Sequence, residues 1–163
     1  MKHLLLIRFS ALGDVAMLVP VVASLMKQYP DIHVTVLSKP FARSLFEGLS
    51  PNVSFMSADL KKDYQGLSGL NALYRRLAAK NFTAVADMHD VLRTKYLRFR
   101  FHLCGFHVAH IDKHRKGKQL LCSEKNKVKV QQPTSFENYA AVFAKLGYPV
   151  SLEFHSIFGE KGG

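Results

Sequence analysis

The chain has 163 residues, 48% of them hydrophobic, which is enough to bury one core and too little for two ordinary domains. We therefore expect a single domain over residues 1–163. An excess of 23 Lys and Arg over 12 Asp and Glu gives a formal charge of +11, which favours anionic partners: nucleic acid, a membrane surface or a phosphorylated substrate.

Two cysteines, Cys104 and Cys122, exclude a disulfide framework and indicate a reducing cytoplasm. Arg8 and Asp14 interrupt the N-terminal apolar run, and no stretch is long enough to span a bilayer, so a soluble chain is predicted.

Short apolar runs alternate with stretches of helical period, a pattern typical of a parallel sheet flanked by helices. Strands are predicted at residues 4–9, 32–38, 53–57, 83–87 and 107–111. Apolar residues at helical spacing predict faces that pack on the sheet: Val15, Leu18, Val22, Leu25 and Met26; Leu70, Leu73 and Leu77; and Leu92, Tyr96, Phe99 and Leu103. Pro20 would interrupt the first helix, so we expect a kink there or a fresh start.

The C-terminal part of the chain predicts one more helix, beginning near Pro133 and ending at Gly147, where "KLGYP" supplies a glycine stop followed by proline. The preceding stretch 112–132 is rich in lysine and poor in apolar residues, which predicts a mobile loop. The final "GEKGG" is predicted to be a flexible end.

A single Gly-Asp pair, Gly13 and Asp14, follows the first predicted strand. In an open parallel sheet, ligands bind just beyond the carboxyl ends of the strands, so this position suggests a functional carboxylate. The alternative is that Asp14 only caps the following helix. A helix that starts afresh at Pro20 weakens the capping interpretation, although spacing alone leaves both open.

A second group of polar residues lies in "ADMHDVLRTKYLRFR", where a strand ends at Asp87 and a helix is expected to start near Asp90. Asp87 and His89 again follow the end of a strand. Arg93, one turn further on, is placed to reach an anion held there. We interpret the remaining cations of this helix, Lys95, Arg98 and Arg100, as a solvated basic face.

Other site chemistries find little support in the sequence. The loop after the first strand has no phosphate-binding glycine motif, and Ser10 lacks the G-x-S-x-G elbow of a hydrolase nucleophile. His107 and His110 fall on opposite faces of a short strand, so neither a metal nor another cofactor is expected. Lys61 and Lys62 follow the third strand and are predicted to form a basic border along the same sheet edge. The alternative is that both lysines are solvated and bind nothing.

Three segments in this order resemble bacterial glycosyltransferase family 9, the ADP-heptose:lipopolysaccharide heptosyltransferases: "IRFSALGDVAMLVPVV", "DMHDVLRTKYLR" and "FENYAAVFAKLGYPV". The resemblance implies the Rossmann-like N-terminal lobe of a two-lobed GT-B enzyme, which holds the acceptor. The second lobe, which would hold the ADP-heptose donor, is absent from this chain. The isolated chain is therefore expected to be inactive, and the whole protein to be an inverting transferase.

The resemblance places Asp14 on the family's catalytic aspartate, which takes the proton of the attacking acceptor hydroxyl. It places the acceptor, the anionic lipid A and inner core, against residues near the family's binding positions: Ser10, Gly13, Lys61, Lys62, Asp87, His89 and Arg93. Such phosphate contacts imply steep salt dependence of acceptor binding. The lysine-rich loop 113–129 is expected to extend this docking, or to hold a cytoplasmic enzyme against the inner face of the bacterial inner membrane.

The sequence departs from the family at two places. Thr134 stands where some members carry a histidine, and His89 and Asp90 replace a more usual Gln-Gly pair, which leaves the acceptor open. Two alternatives remain: a basic α/β domain that binds nucleic acid, for which no recognition motif is present, and a non-catalytic carbohydrate or nucleotide-binding module on the same fold.

Overall fold

A computed structural model describes residues 2–10, 12–111 and 135–150, and it shows a parallel sheet of five strands. The strands are β1 (His3–Ile7), β2 (His33–Ser38), β3 (Val53–Ser57), β4 (Ala84–Asp87) and β5 (His107–His110). Their order across the sheet is β3-β2-β1-β4-β5, and each neighbouring pair is parallel. All five strands fall where the apolar runs predict them, and the Rossmann-like α/β class is confirmed.

Helices cover both faces of this sheet, because alternate residues of a strand point to opposite sides. The helices are α1 (Leu12–Ala16), α2 (Leu18–Gln28), α3 (Arg43–Phe46), α4 (Gly66–Ala78), α5 (Leu92–Leu103) and α6 (Ser135–Lys145). On β1, Leu4 and Leu6 pack with α1, α2, α3 and α6, whereas Leu5 and Ile7 pack with α4 and α5. The central strand is therefore buried on both faces, and only its ends are available for a site.

The predicted interruption of the first helix is confirmed. Pro20 has no N–H to donate to the carbonyl of Ala16, and the chain accordingly ends α1 at Ala16 and begins α2 at Leu18. Pro20 then occupies the first turn of α2, where a missing donor costs nothing. The break leaves α1 as one short turn over the carboxyl end of β1, and this turn carries Gly13 and Asp14.

The last helix also ends as predicted. After Lys145 the chain turns through Gly147, whose φ of 95° is a conformation that favours glycine. The amide of Tyr148 donates to the carbonyl of Phe143 at 2.8 Å and closes the turn. The predicted loop 112–132, the predicted helix start near Pro133 and the glycine-rich end lie outside the described residues.

The predicted packing face of α5 is wrong at three of its four residues, and only Tyr96 packs against the core as predicted. Leu92, Phe99 and Leu103 are 84%, 55% and 65% exposed, and the helix instead buries Thr94, Leu97 and Phe101. Phe101 packs edge-on against Tyr74 of α4, with ring centroids 4.9 Å apart. The helix therefore packs on the core through Thr94, Leu97 and Phe101, and the row formed by Leu92, Phe99 and Leu103 is left exposed on its outer side.

Strands β1 and β4 are neighbours in space although β2 and β3 separate them in sequence. The connection after β1 runs to β2 on one side, and the connection after β4 runs to β5 on the other, which opens a crevice above the carboxyl ends of β1 and β4. Among residues 2–10, 12–111 and 135–150, none of the helices combines the length and apolar character that crossing a bilayer requires.

Gly69 of α4 has no room for a side chain. A Cβ added there would overlap the backbone of Tyr64, whereas one added at Gly13 meets nothing within 4 Å. We expect Gly69→Ala to lower the free energy of unfolding by about 1–3 kcal/mol through overpacking, measured by urea denaturation. Gly13→Ala is the control, and it should leave stability within about 1 kcal/mol of the starting protein. Equal stability of the two variants would contradict the close approach at Gly69.

Candidate functional site

The candidate site lies at the carboxyl edge of the sheet, where the loops after β1 and β4 meet. The amide of Phe9 in the first loop donates to Nδ1 of His89 in the second, at 3.4 Å. Ile7 pairs with Asp87 in the sheet register, so the two loops leave the sheet side by side. This is the position at which doubly wound α/β sheets bind ligands.

Arg8 is the buried charge at the centre of this edge. Only 9% of the residue is exposed, and its backbone amide donates to the carbonyl of Leu37 in β2. Its guanidinium donates from Nη1 to the carbonyl of Met88, at 2.7 Å, and pairs from Nη2 with Asp14, at 3.1 Å. The side chain of Arg8 therefore joins the loop after β4 to α1, and its backbone ties both to β2.

Asp14 presents a carboxylate that is held on one side and open on the other. Arg8 holds Oδ2, yet 46% of the Asp14 side chain remains exposed. From the opposite direction, the hydroxyl of Tyr139 in α6 donates to the backbone carbonyl of Asp14 at 3.0 Å. Burial raises the pKa of Tyr139 above its ordinary value, which keeps this hydroxyl a donor. Both the backbone and the side chain of Asp14 are thus fixed by buried groups.

Asp87 has a role different from the predicted contact with an acceptor, because its side chain is fully buried. Oδ1 accepts the amides of His89 and Asp90, at 3.0 and 2.9 Å, and Oδ2 accepts from Arg98 at 3.0 Å. Its hydrogen bonds fold the loop after β4 into a tight turn, in which Asp90 has a φ of 50°. Asp87 therefore positions His89 and has no surface for a ligand.

Arg98 also departs from the sequence interpretation, since it is not part of a solvated face. Its side chain is 20% exposed and pairs with both Asp87 and Asp90, the latter at 3.1 Å. Arg100 is likewise engaged, donating to Asn71 and lying 4.4 Å above the ring of Tyr74. These pairings join residues far apart in sequence or on different turns, so helical spacing alone does not reveal them.

The structure gathers some of the other predicted residues and separates the rest. Ser10 and Gly13 lie beside Asp14 in the loop after β1 and in α1, and His89 reaches the same loop through Phe9. Lys61 and Lys62 are exposed at the same edge but follow β3, two strands away from β1. Their amides both donate to Oδ1 of Asp59, which fixes their turn. Arg93 is exposed in the first turn of α5.

Sequence reasoning missed Arg8 and Tyr139. Arg8 was visible only as a charge that interrupts an apolar run, and its place immediately after a buried strand was the one signal available. Tyr139 lies 125 residues from Asp14, and nothing local connects the two.

Within the described part of the chain, no three His, Cys, Asp or Glu side chains are grouped so as to hold a metal ion. The chemistry this edge offers is that of one exposed, oriented carboxylate that can accept a proton or a hydrogen bond.

No family model matches the chain, but individual proteins do. It is 29% identical over 96 residues to the lipopolysaccharide core heptosyltransferase OpsX of Haemophilus influenzae, covering 59% of this chain and 26% of OpsX. In fold it is similar to a glycosyl transferase family 9 structure from Veillonella parvula, with a TM-score of 0.65 and 21% identity over 95% of this chain and 46% of that one.

A second similar structure is the E. coli heptosyltransferase WaaC with ADP-2-deoxy-2-fluoro heptose, with a TM-score of 0.66 and 19% identity over 96% of this chain and 52% of that one. The chain thus spans about half the length of these solved relatives. The resemblance to the family 9 heptosyltransferases is confirmed.

The two carboxylates of the β4 turn differ in burial, and this difference predicts different stabilities. We expect Asp87→Asn to lower the free energy of unfolding by about 1–3 kcal/mol, because it places an amide NH₂ against Arg98 or leaves buried donors without an acceptor. Asp90→Asn should cost less than about 1 kcal/mol, since Asn tolerates the positive φ and the side chain is partly solvated. Urea denaturation of both variants makes the comparison, and equal losses would contradict the role of Asp87.

Proposed function

We propose that this chain is the acceptor-side lobe of an inverting glycosyltransferase. It resembles the family 9 heptosyltransferases in sequence and in fold. In this proposal Asp14 is the general base. It removes the proton of the acceptor hydroxyl while that oxygen attacks the anomeric carbon of a nucleotide sugar, and the nucleoside diphosphate departs with the electron pair of the broken bond. No covalent sugar intermediate is needed.

The observation that carries the proposal is the half-exposed carboxylate of Asp14 held on a buried guanidinium. A residue that only capped α1 would need no such support, because an exposed cap is satisfied by the amides of its own helix. The Asp14 side chain is instead paired with Arg8, and its backbone carbonyl with Tyr139. Both contacts fix the direction of the carboxylate at the crevice between β1 and β4, which is the requirement for proton transfer to a positioned base.

The acceptor is proposed to lie across this crevice, with Ser10, Gly13 and His89 closest to the reacting hydroxyl. Gly13 has open space where a Cβ would stand, so a sugar ring can approach the backbone there. Lys61, Lys62 and Arg93 are exposed further along the edge and suit anionic groups of the lipid A and inner-core region. Asp87 serves this site indirectly, by shaping the turn that holds His89.

The donor is proposed to bind a second lobe that this chain does not contain. One solved relative carries an ADP-heptose analogue, and the relatives are about twice as long as this chain. We propose ADP-heptose as the donor, the lipopolysaccharide inner core as the acceptor, and the bacterial cytoplasm as the location. A single second lobe facing the carboxyl edge would bring the anomeric carbon to Asp14 and exclude water from the crevice.

Replacing the base while keeping its shape gives the sharpest test. In the protein that carries both lobes, we expect Asp14→Asn to lower kcat by about 10²–10⁴-fold, because the amide cannot accept the proton. The measurement is heptose transfer from ADP-heptose to an inner-core acceptor, with single-turnover rates. Asp63→Asn, which changes an exposed residue in the turn after β3, is the matched control and should leave kcat unchanged. Transfer at the normal rate by Asp14→Asn would overturn the proposal.

Arg8 is proposed as a positioning residue, and Arg8→Lys tests this because it keeps the charge. One ammonium cannot hold Met88 and Asp14 in the fork geometry of a guanidinium. We therefore expect kcat to fall by about tenfold or more while the KM for donor changes little, since the proposal assigns donor binding to the other lobe. A rise in donor KM with unchanged kcat would contradict the positioning role. Circular dichroism and thermal unfolding separate this effect from loss of the fold.

A further inference from the structure

The outward face of α5 combines exposed apolar side chains with exposed cations. Leu92, Phe99 and Leu103 follow one another at helical spacing and are all more than half exposed. Single exposed leucines are ordinary on protein surfaces, but a row of three on one helix is not. The helix contains no acidic residue, and its cations include the exposed Arg93 and Lys95.

The neighbouring helix extends the same charge. Helices α4 and α5 lie together on one face of the sheet, and neither contains Asp or Glu. Besides Arg98, which pairs with Asp87 and Asp90, they carry the cations Arg75, Arg76, Arg93, Lys95 and Arg100. The helices of the opposite layer differ, because their cations Lys27, Arg43 and Lys145 are nearly balanced by Asp14 and Glu137. The net charge of the described helices is therefore concentrated on one side of the molecule.

A groove opens between α5 and β5 beside the apolar row. It has a volume of about 350 Å³ and is lined by Lys95, Arg98, Phe99, His102, Val108 and His110. Its wall thus mixes basic and imidazole groups with an exposed phenyl ring and a valine. A site of this kind fits a group with a phosphate at one end and an apolar chain at the other.

We propose that the α5 face, defined as Leu92, Phe99 and Leu103 with the adjoining groove, docks on an anionic phospholipid surface. The leucines and Phe99 enter the boundary between head groups and acyl chains, and Arg93 and Lys95 contact lipid phosphates. Charge complementarity selects this occupant, since a partner that were only apolar would leave these cations without counter-ions. The proposal goes beyond the proposed function, because it concerns binding in the absence of donor and acceptor.

The test uses the 163-residue chain with vesicles of phosphatidylcholine, with and without phosphatidylglycerol. We expect sedimentation with the anionic vesicles only, weakening as salt is raised. Phe99→Ser combined with Leu103→Ser should reduce the partition coefficient by about tenfold or more, since both side chains are lost from the lipid boundary. Phe41→Ser is the matched control, because Phe41 is 44% exposed but lies outside α4 and α5.

A fluorescent reporter gives a second readout, because the chain contains no tryptophan. Phe99→Trp should shift its emission to the blue on anionic vesicles, and Phe41→Trp should not shift. Unchanged vesicle binding by the double serine variant, which keeps every lysine of residues 113–129, would overturn the proposal and assign binding to those lysines. The proposal would also be overturned if the chain did not bind vesicles but dimerised through Phe99, as measured by sedimentation equilibrium.

Failure of this proposal is distinguishable from failure of the proposed function. Vesicle binding is measured without any sugar donor, so it does not depend on Asp14. In the protein with both lobes, the double serine variant is expected to keep its kcat on an acceptor stripped of its acyl chains. Loss of transfer on that soluble acceptor would place the α5 face in catalysis and contradict membrane docking as its role.

Discussion

The candidate site depends on one ion pair, between the buried guanidinium of Arg8 and the half-exposed carboxylate of Asp14. A guanidinium placed directly after a central strand has to find several acceptors, since it offers five N–H donors and loses its water on burial. Arg8 meets this requirement by bridging the carbonyl of Met88 and the carboxylate of Asp14. Because its two partners come from different loops, the pair closes the β1 and β4 loops over the sheet edge.

Stability alone does not account for this arrangement. Nε of Arg8 and the hydroxyl of Ser38 are both buried without a hydrogen-bond partner among the described residues, and each such group costs free energy. An apolar side chain after β1 would avoid that cost and continue the core formed by Leu4 and Leu6. Arg8 gives the site something that an apolar residue cannot, namely a fixed direction for a carboxylate that remains half exposed.

The fold was predictable from the sequence because it follows from local patterns. Five apolar runs specify the strands, and the missing N–H of Pro20 separates α1 from α2. The packing face of α5 was not predictable from apolar residues alone. The helix buries the small polar Thr94, whose hydroxyl bonds within its first turn, beside Leu97 and Phe101. A count of large apolar residues favours Leu92, Phe99 and Leu103 instead, and those residues face outward.

The sequence predicts the position of the candidate site but not the residues that hold its side chains in place. The rule that ligands bind beyond strand ends locates Asp14 and His89. It does not distinguish a carboxylate that faces the crevice from one that folds a turn, and Asp14 and Asp87 differ in this respect. The distinction comes from partners distant in sequence: Arg8 and Tyr139 for Asp14, and Arg98 for Asp87.

The β4 turn connects the two surfaces that this molecule presents. Asp87 anchors the turn to the end of β4, and Arg98, one and a half turns into α5, ties the helix to the same carboxylate. The orientation of α5 relative to the sheet edge is therefore set by charges that are mostly buried, which solvent and salt weaken least. A lipid surface under Leu92 would consequently meet the edge of the sheet at a fixed angle.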